Sequence, residues 1–266
     1  MSHAPGPGRA GYSPFFTVSW KAMELSIIIP AYDEARKIAR DVDAAGAFLA
    51  DHGIDGEIIV VDDGSTDGTG DAALRGTLQF RVALTVITLQ QHAGKGAAVR
   101  AGVMKSEGTY VMFADAGLTV PYTDALRGLA LIKSGRYQLA HGSRWLPESR
   151  IEKPQDSWRQ TLSRMVRWVL RRTLSLPADL TDTQCGFKVY HGDVARALFS
   201  RCTTEHFLFD VEVLVLALKQ GHRVAEFPVS WSCDRDSRLN VRDHAVQVFR
   251  DLLAIRRLHR RLSPRS

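Results

Sequence analysis

Two neighbouring carboxylates, Asp62 and Asp63, stand where the apolar run Glu57-Ile-Ile-Val-Val61 gives way to Gly64-Ser-Thr-Asp-Gly68. Adjacent like charges cost energy unless something uses them. A nucleotide does: one carboxylate accepts from a base N–H or a ribose hydroxyl, and the other caps the following turn. The plainer alternative is a helix cap plus a solvated charge. A calcium loop is excluded. Asp63, Ser65, Asp67 and Gly68 match the opening of an EF-hand, but Leu74 stands where that loop needs a bidentate Glu.

Three further groups extend this chemistry. Gly94-Lys95-Gly96 opens an Ala-rich segment, where backbone N–H groups and an ammonium come close to phosphates; a plain loop-to-helix turn reads equally well. Asp115 ends Tyr110-Val-Met-Phe-Ala114. A carboxylate at such a tip is a natural oxygen ligand for Mg²⁺ or Mn²⁺, or else a turn-forming Asp before Gly117. Arg144, Arg159 and Arg238 supply guanidinium forks suited to phosphate. There is no Walker A spacing, and no G-x-G-x-x-G follows the first strand, which argues against a P-loop enzyme and a dinucleotide oxidoreductase.

The elements that must position these groups alternate. Strands are expected at Leu25–Pro30, Glu57–Val61, Leu84–Leu89, Tyr110–Ala114 and Gln138–His141. Helices are expected at Asp33–Leu49, from Thr66 or Asp67 to Leu74, at Lys95–Lys105 and at Asp124–Lys133. This order predicts an α/β fold with a doubly wound, mostly parallel sheet and helices on both faces. Ligands then sit at the carboxyl ends of the strands, where Asp62, Asp63 and Asp115 fall. Later in the chain, Pro147–Asp156 reads as a polar loop and Trp158–Leu174 as an amphipathic helix. Leu180–Tyr190 reads as irregular and then strand-like, Asp210–Gln220 as an apolar helix, Val224–Trp231 as a strand broken by Pro228, and Asp243–Leu262 as a basic amphipathic helix.

With 266 residues and 45% hydrophobic content the chain has ample material for a core. The boundaries expected are a flexible tail over 1–22, a main domain over 23–240 divided near 125 into nucleotide and acceptor halves, and a basic C-terminal helix over 241–266. The net charge of +6 is concentrated after His141. An acidic first half suits a metal, and a basic second half suits phosphates or an anionic membrane. Nucleic acid is a poor fit, because aromatics do not interleave the basic residues. Cys185, Cys202 and Cys233 show no metal or disulfide spacing and are expected as free thiols in a reducing cytosol.

Taken in order, Pro30-Ala-Tyr-Asp-Glu34, Val60-Val-Asp-Asp-Gly-Ser-Thr-Asp67, Gly94-Lys-Gly96, Asp115 and Gly142-Ser-Arg144 resemble the family 2 glycosyltransferases of the GT-A fold. Asp182-Thr-Gln-Cys-Gly-Phe-Lys188, Phe209-Asp-Val-Glu212 and Pro228-Val-Ser-Trp231 look like the branch that uses polyprenyl phosphates, dolichyl-phosphate β-glucosyltransferases above all. The resemblance implies that Pro30, Tyr32 and Glu34 border the nucleobase and ribose, with Asp62 or Asp63 binding one of them. It implies Lys95 beside the nucleotide and Asp115 at the metal and diphosphate. Arg144, Arg159 and Arg238 would hold donor or acceptor phosphates, and Asp182 would lie beside the acceptor.

The resemblance further implies inversion by a single in-line displacement, with UDP-glucose as donor and a polyprenyl phosphate as acceptor. The alternative is a soluble hydroxyl acceptor, for which Asp182 is the candidate base; a nucleotide-sugar binder without catalysis is a third reading. Two departures stand out. The family's Asp-x-Asp is here Asp115-Ala116-Gly117, so a water or Thr119 would have to serve in place of the second carboxylate. Relatives often carry C-terminal transmembrane helices, whereas this chain reads Arg256-Arg257-Leu258-His259-Arg260-Arg261. Cytoplasmic residence is expected, with peripheral contact at the inner membrane face through the basic helices, Trp158 and Trp168.

Overall fold

The structure, a computed structural model, describes residues 23–76, 82–153, 168–174, 176–177, 179–233 and 241–262. The first half builds as its hydrophobic periodicity requires. β1 (Leu25–Ala31), β2 (Gly56–Asp62), β3 (Ala83–Thr88) and β4 (Tyr110–Ala114) lie side by side in parallel. α1 (Ile38–Asp51), α2 (Thr69–Ala73), α3 (Lys95–Lys105) and α4 (Ala125–Lys133) follow them in turn. α1 begins five residues later than expected, because 33–37 form a turn instead of helix. A single 3-10 turn, Tyr122–Asp124, leads into α4.

The second half completes a seven-stranded sheet of order β3-β2-β1-β4-β7-β5-β8. It adds β5 (Leu139–Ser143), β7 (Phe187–His191) and β8 (Val224–Pro228). β7 runs antiparallel to both neighbours and makes the sheet mixed. β6 (Arg150–Lys153) pairs with β9 (Ser230–Ser232) in a separate two-stranded sheet. The expected polar loop over 147–156 therefore contains a strand, exposed throughout and recognisable only from its partner. α5 (Gly192–Phe199) was not expected, whereas α6 (Phe209–Lys219) and α7 (Val241–Leu262) match the reading.

Alternating strand residues divide the core. Ile27, Ile29, Ile58 and Val60 face α1, α2 and α4, while Ile28, Ile59 and Val61 face α3, α5 and α6. Gly102 lets α3 press onto the sheet, since a Cβ there would lie 2.4 Å from Ile28 Cγ2. A third cluster joins Leu170 and Leu174 of the helical residues 168–174 to Val211 and Leu214 of α6 and Ile255 of α7. Among the described residues no helix is long and apolar enough to cross a membrane. Cys185 and Cys202 are free and buried; burial pushes the Cys185 thiol up to about 12, which leaves it inert at neutral pH.

Candidate active site

The loops that leave β1 and β2 are laced together at the carboxyl edge of the sheet. Asp33, in the left-handed region at φ 52°, donates its N–H to Ser65 Oγ (2.8 Å), and its Oδ1 accepts from the Thr66 N–H. The Glu34 N–H donates to Thr69 Oγ1 and the Ala35 N–H to Asp67 Oδ2. Asp67 thus ties the two loops together and also accepts the Thr69 N–H, while Gly68 occupies the cap position of α2. Pro30 is buried inside β1, and Glu34 pairs with Lys37.

Asp62 and Asp63 are both buried and do different work. Asp62 accepts the Ser65 N–H (3.0 Å) and shapes its own turn. Asp63 accepts the N–H groups of Ala93 (2.8 Å) and Gly94 (2.9 Å) and pairs with His92 Nδ1 (2.9 Å). It therefore seats the loop that precedes Lys95. The same arrangement sets the His92 ring against Tyr32, 40% exposed, with centroids 4.0 Å apart.

Lys95 opens α3, and its Nζ lies 2.6 Å from Asp115 Oδ1 at the tip of β4. Burial opposes the Lys95 charge, but Asp115 and then Asp210 outweigh it and hold the ammonium above its ordinary range. Gly186 closes the other side of Asp115. Its carbonyl accepts the Asp115 N–H, and a Cβ at this position would meet the carboxylate at 2.1 to 2.3 Å. Asp115 Oδ1 is buried against Lys95, yet the side chain as a whole is one-third exposed, so part of the carboxylate stays open. No group of three or more possible metal ligands occurs among the described residues. A partly open carboxylate still fits a Mg²⁺ or Mn²⁺ ion whose remaining ligands are phosphate oxygens and water. Gly117 offers no second carboxylate.

Arg144, just past β5, grips Asp182 through Nε (2.6 Å) and Nη2 (2.9 Å) and stacks on the Trp231 ring at 5.4 Å. Burial disfavours the Asp182 charge, but the guanidinium outweighs it and holds the carboxyl below the usual range. Reciprocally, Asp182 holds the buried Arg144 cation firmly protonated, with a smaller contribution from Asp115 that puts the two charge clusters in one field. With both oxygens committed to a single fork, Asp182 has the properties of a counter-ion more than those of a proton acceptor.

The segment from Asp182 to Gly186 thus touches Arg144 at one end and Asp115 at the other. It is anchored by Glu226, which lies in none of the quoted motifs, and by Lys188 and Asp210, which lie in two of them without an assigned role. Glu226 of β8 accepts from the Thr181 N–H and Oγ1 and from the Asp182 N–H (2.6 Å). Lys188 of β7, fully buried, donates to the Thr183 carbonyl (2.8 Å) and pairs with Asp210 of α6 at 2.7 Å. The visible signal was a lysine between Phe187 and Val189 in an apolar strand and an aspartate in an apolar helix, since each demands a buried partner. His141, opposite Lys188 in the register, is held neutral by burial and by that ammonium.

Of the expected site residues, the structure brings Pro30, Tyr32, Glu34, Asp62, Asp63, Lys95, Asp115, Arg144 and Asp182 to the carboxyl edge of the sheet and the loops over it. Arg159, Arg238 and Trp158 lie outside the described residues.

A mixed α/β sheet with acid, lysine and arginine gathered at this edge has the architecture of a GT-A glycosyltransferase. The chain belongs to glycosyl transferase family 2, whose profile matches residues 26–199, and it is a glycosyltransferase. It is 32% identical over 88% of its length to glycosyltransferase AglD of Haloferax volcanii, of which it spans only 36%. The dolichyl-phosphate beta-glucosyltransferases of Saccharomyces cerevisiae and Homo sapiens are 30% and 32% identical over 87% and 88% of this chain, which spans 74% and 75% of theirs. In fold it is similar to glucosyl-3-phosphoglycerate synthase of Mycobacterium tuberculosis, solved with Mn²⁺, UDP and phosphoglyceric acid. That likeness has a TM-score of 0.66 at 20% identity over 88% of this chain and 78% of the other.

Proposed function

We propose that this enzyme transfers glucose from UDP-glucose to a polyprenyl phosphate, with inversion at the anomeric carbon. The observation that carries the reading is the single short segment, Asp182 to Gly186, that touches the Lys95–Asp115 pair at one end and Arg144 at the other. Donor and acceptor phosphates each need a fixed cation, and this segment spaces two of them. The names of the yeast and human relatives support the same substrates.

In this reading the nucleobase lies by the Tyr32 and His92 rings, bordered by Pro30, Glu34 and the loop that Asp62 and Asp63 shape. Lys95 faces the diphosphate. Asp115 is the residue that would hold a divalent ion, which would supply Lewis-acid charge for the leaving group. Arg144 holds the acceptor phosphate in line with the anomeric carbon. An acceptor oxygen attacks that carbon, the bond to the β-phosphate oxygen breaks, and UDP departs with charge that Lys95 offsets. No base is required, because the attacking phosphate is already an anion. That suits a carboxylate already engaged with Arg144, and it favours the lipid phosphate over a hydroxyl acceptor. An acceptor of this kind resides in a membrane, and α7 offers a basic face with which to meet one.

The test supplies purified enzyme with UDP-glucose and either a short water-soluble prenyl phosphate or a panel of hydroxyl acceptors. An acid-labile glucosyl phosphate, formed only from the prenyl phosphate, is expected. Equal or faster transfer to a hydroxyl overturns the acceptor assignment, and faster use of GDP- or dTDP-sugars overturns the donor.

A further inference from the structure

The turn after β4 is gripped from beneath by a residue that belongs to none of the motifs. Asp41 lies in the first turn of α1 and is buried. Its Oδ1 accepts the backbone N–H groups of Gly117 (2.9 Å) and Leu118 (2.8 Å). Both residues have left-handed backbones, at φ 94° and φ 50°. Glycine adopts that conformation freely, but for leucine it is strained and persists only where the surroundings impose it. The two hydrogen bonds to one carboxylate oxygen are what impose it here.

The arrangement costs the fold something. Asp41 Oδ2 is buried with no hydrogen-bond partner among the described residues. Burial pushes the carboxyl up to about 6 even though two amides donate to it. Half-used buried carboxylates are uncommon in purely structural roles and concentrate at functional sites. The turn held in this way starts at Asp115, two residues before Gly117. It also lacks the second carboxylate of the family motif, and Asp41 supplies a carboxylate beneath the turn instead of on it.

We infer that Asp41 is a positioning residue for the donor diphosphate, locking the 115–118 turn so that Asp115 stays between Lys95 and Gly186. The inference rests on the reading of Asp115 and Lys95 as the diphosphate end of the site. Donor binding should therefore register a change at residue 41, and acceptor binding should not.

The experiment compares wild type, D41N, D41A and D115N by donor KM, acceptor KM and the thermal shift produced by UDP with Mn²⁺. D41A is expected to raise donor KM about tenfold and shrink the UDP shift, with acceptor KM unchanged. D41N, whose amide oxygen still accepts both N–H groups, is expected to restore both readouts. D115N is expected to lose the shift. If D41A keeps the wild-type donor KM and shift while D115N loses them, the Asp41 inference fails and the site reading stands. If D115N also keeps the shift, the site reading itself fails. Should D41A not fold by circular dichroism, D41S carries the same readouts, since its hydroxyl is too short to reach both amides.

Discussion

A methyl group on Gly186 would occupy the space now filled by the Asp115 carboxylate, at 2.1 to 2.3 Å from its atoms. Neither side can yield cheaply. The Asp115 N–H is bonded to the Gly186 carbonyl, and Asp115 Oδ1 is paired with Lys95. Gly186→Ala should therefore displace the carboxylate from Lys95 by an ångström or more. Misplacement on that scale costs about a hundredfold in rate. The expected outcome is a fall of that size in kcat/KM for the nucleotide sugar, because the displaced carboxylate is the one that pairs with Lys95. Initial rates across donor concentration read it directly, and wild-type kinetics in this variant would show that Asp115 does not work from this position. The same residue shows how sequence informs and misleads. The glycine's place within Asp182–Lys188 flagged the segment, but nothing in its spacing told that it serves Asp115, seventy-odd residues earlier in the chain.

At the scale of elements, the parallel half was readable because its strands are short apolar runs, buried in β1, β2 and most of β4, that end in polar tips. The second half was less so. β6 is four exposed residues whose strand character comes from β9 alone, and α5 begins directly after β7 with no polar loop to announce it. The site followed the same division: tips on β2 and β4 were legible, whereas supports acting across the sheet were not. Glu226 is the clearest case, since it lies on an edge strand and its charge is spent on backbone N–H groups some forty-five residues away. Charge-assisted hydrogen bonds of this kind are worth about 1.5–3 kcal/mol each. Glu226→Gln replaces one accepting oxygen with a donor that faces N–H groups. It should loosen Thr181 and Asp182, so that amide exchange there accelerates at least about tenfold while the UDP-induced thermal shift is retained. Unchanged protection at those two amides would mean that Arg144 and Lys188 anchor the segment without Glu226.

For the molecule as a whole, the proposed polyprenyl phosphate acceptor raises the question of how a domain without a spanning helix among its described residues would meet a bilayer. The helical residues 168–174 and α7 meet in one apolar cluster through Leu170, Leu174 and Ile255. That contact uses one side of each and leaves Trp168 (67% exposed) and Phe249 (60%) open to solvent. Arg250, Arg256 and Arg257 are exposed on α7 as well. Aromatic rings among arginines suit the headgroup region of an anionic membrane, where each basic residue contributes about 1 kcal/mol. The protein is therefore expected to sediment with vesicles that contain anionic phospholipid and not with neutral ones, and to release as salt rises. Reversing the three arginines together should weaken partitioning by roughly a hundredfold or more. Turnover on a short, water-soluble prenyl phosphate should stay at the wild-type rate, because the partners of Lys95, Asp115, Arg144 and Asp182 include none of the three. Phe249→Ser should weaken binding to a smaller extent and in a salt-independent way, as apolar insertion requires. Equal sedimentation with neutral and anionic vesicles, or a charge-reversed variant that still binds, would remove the basic face of α7 from the route to the acceptor.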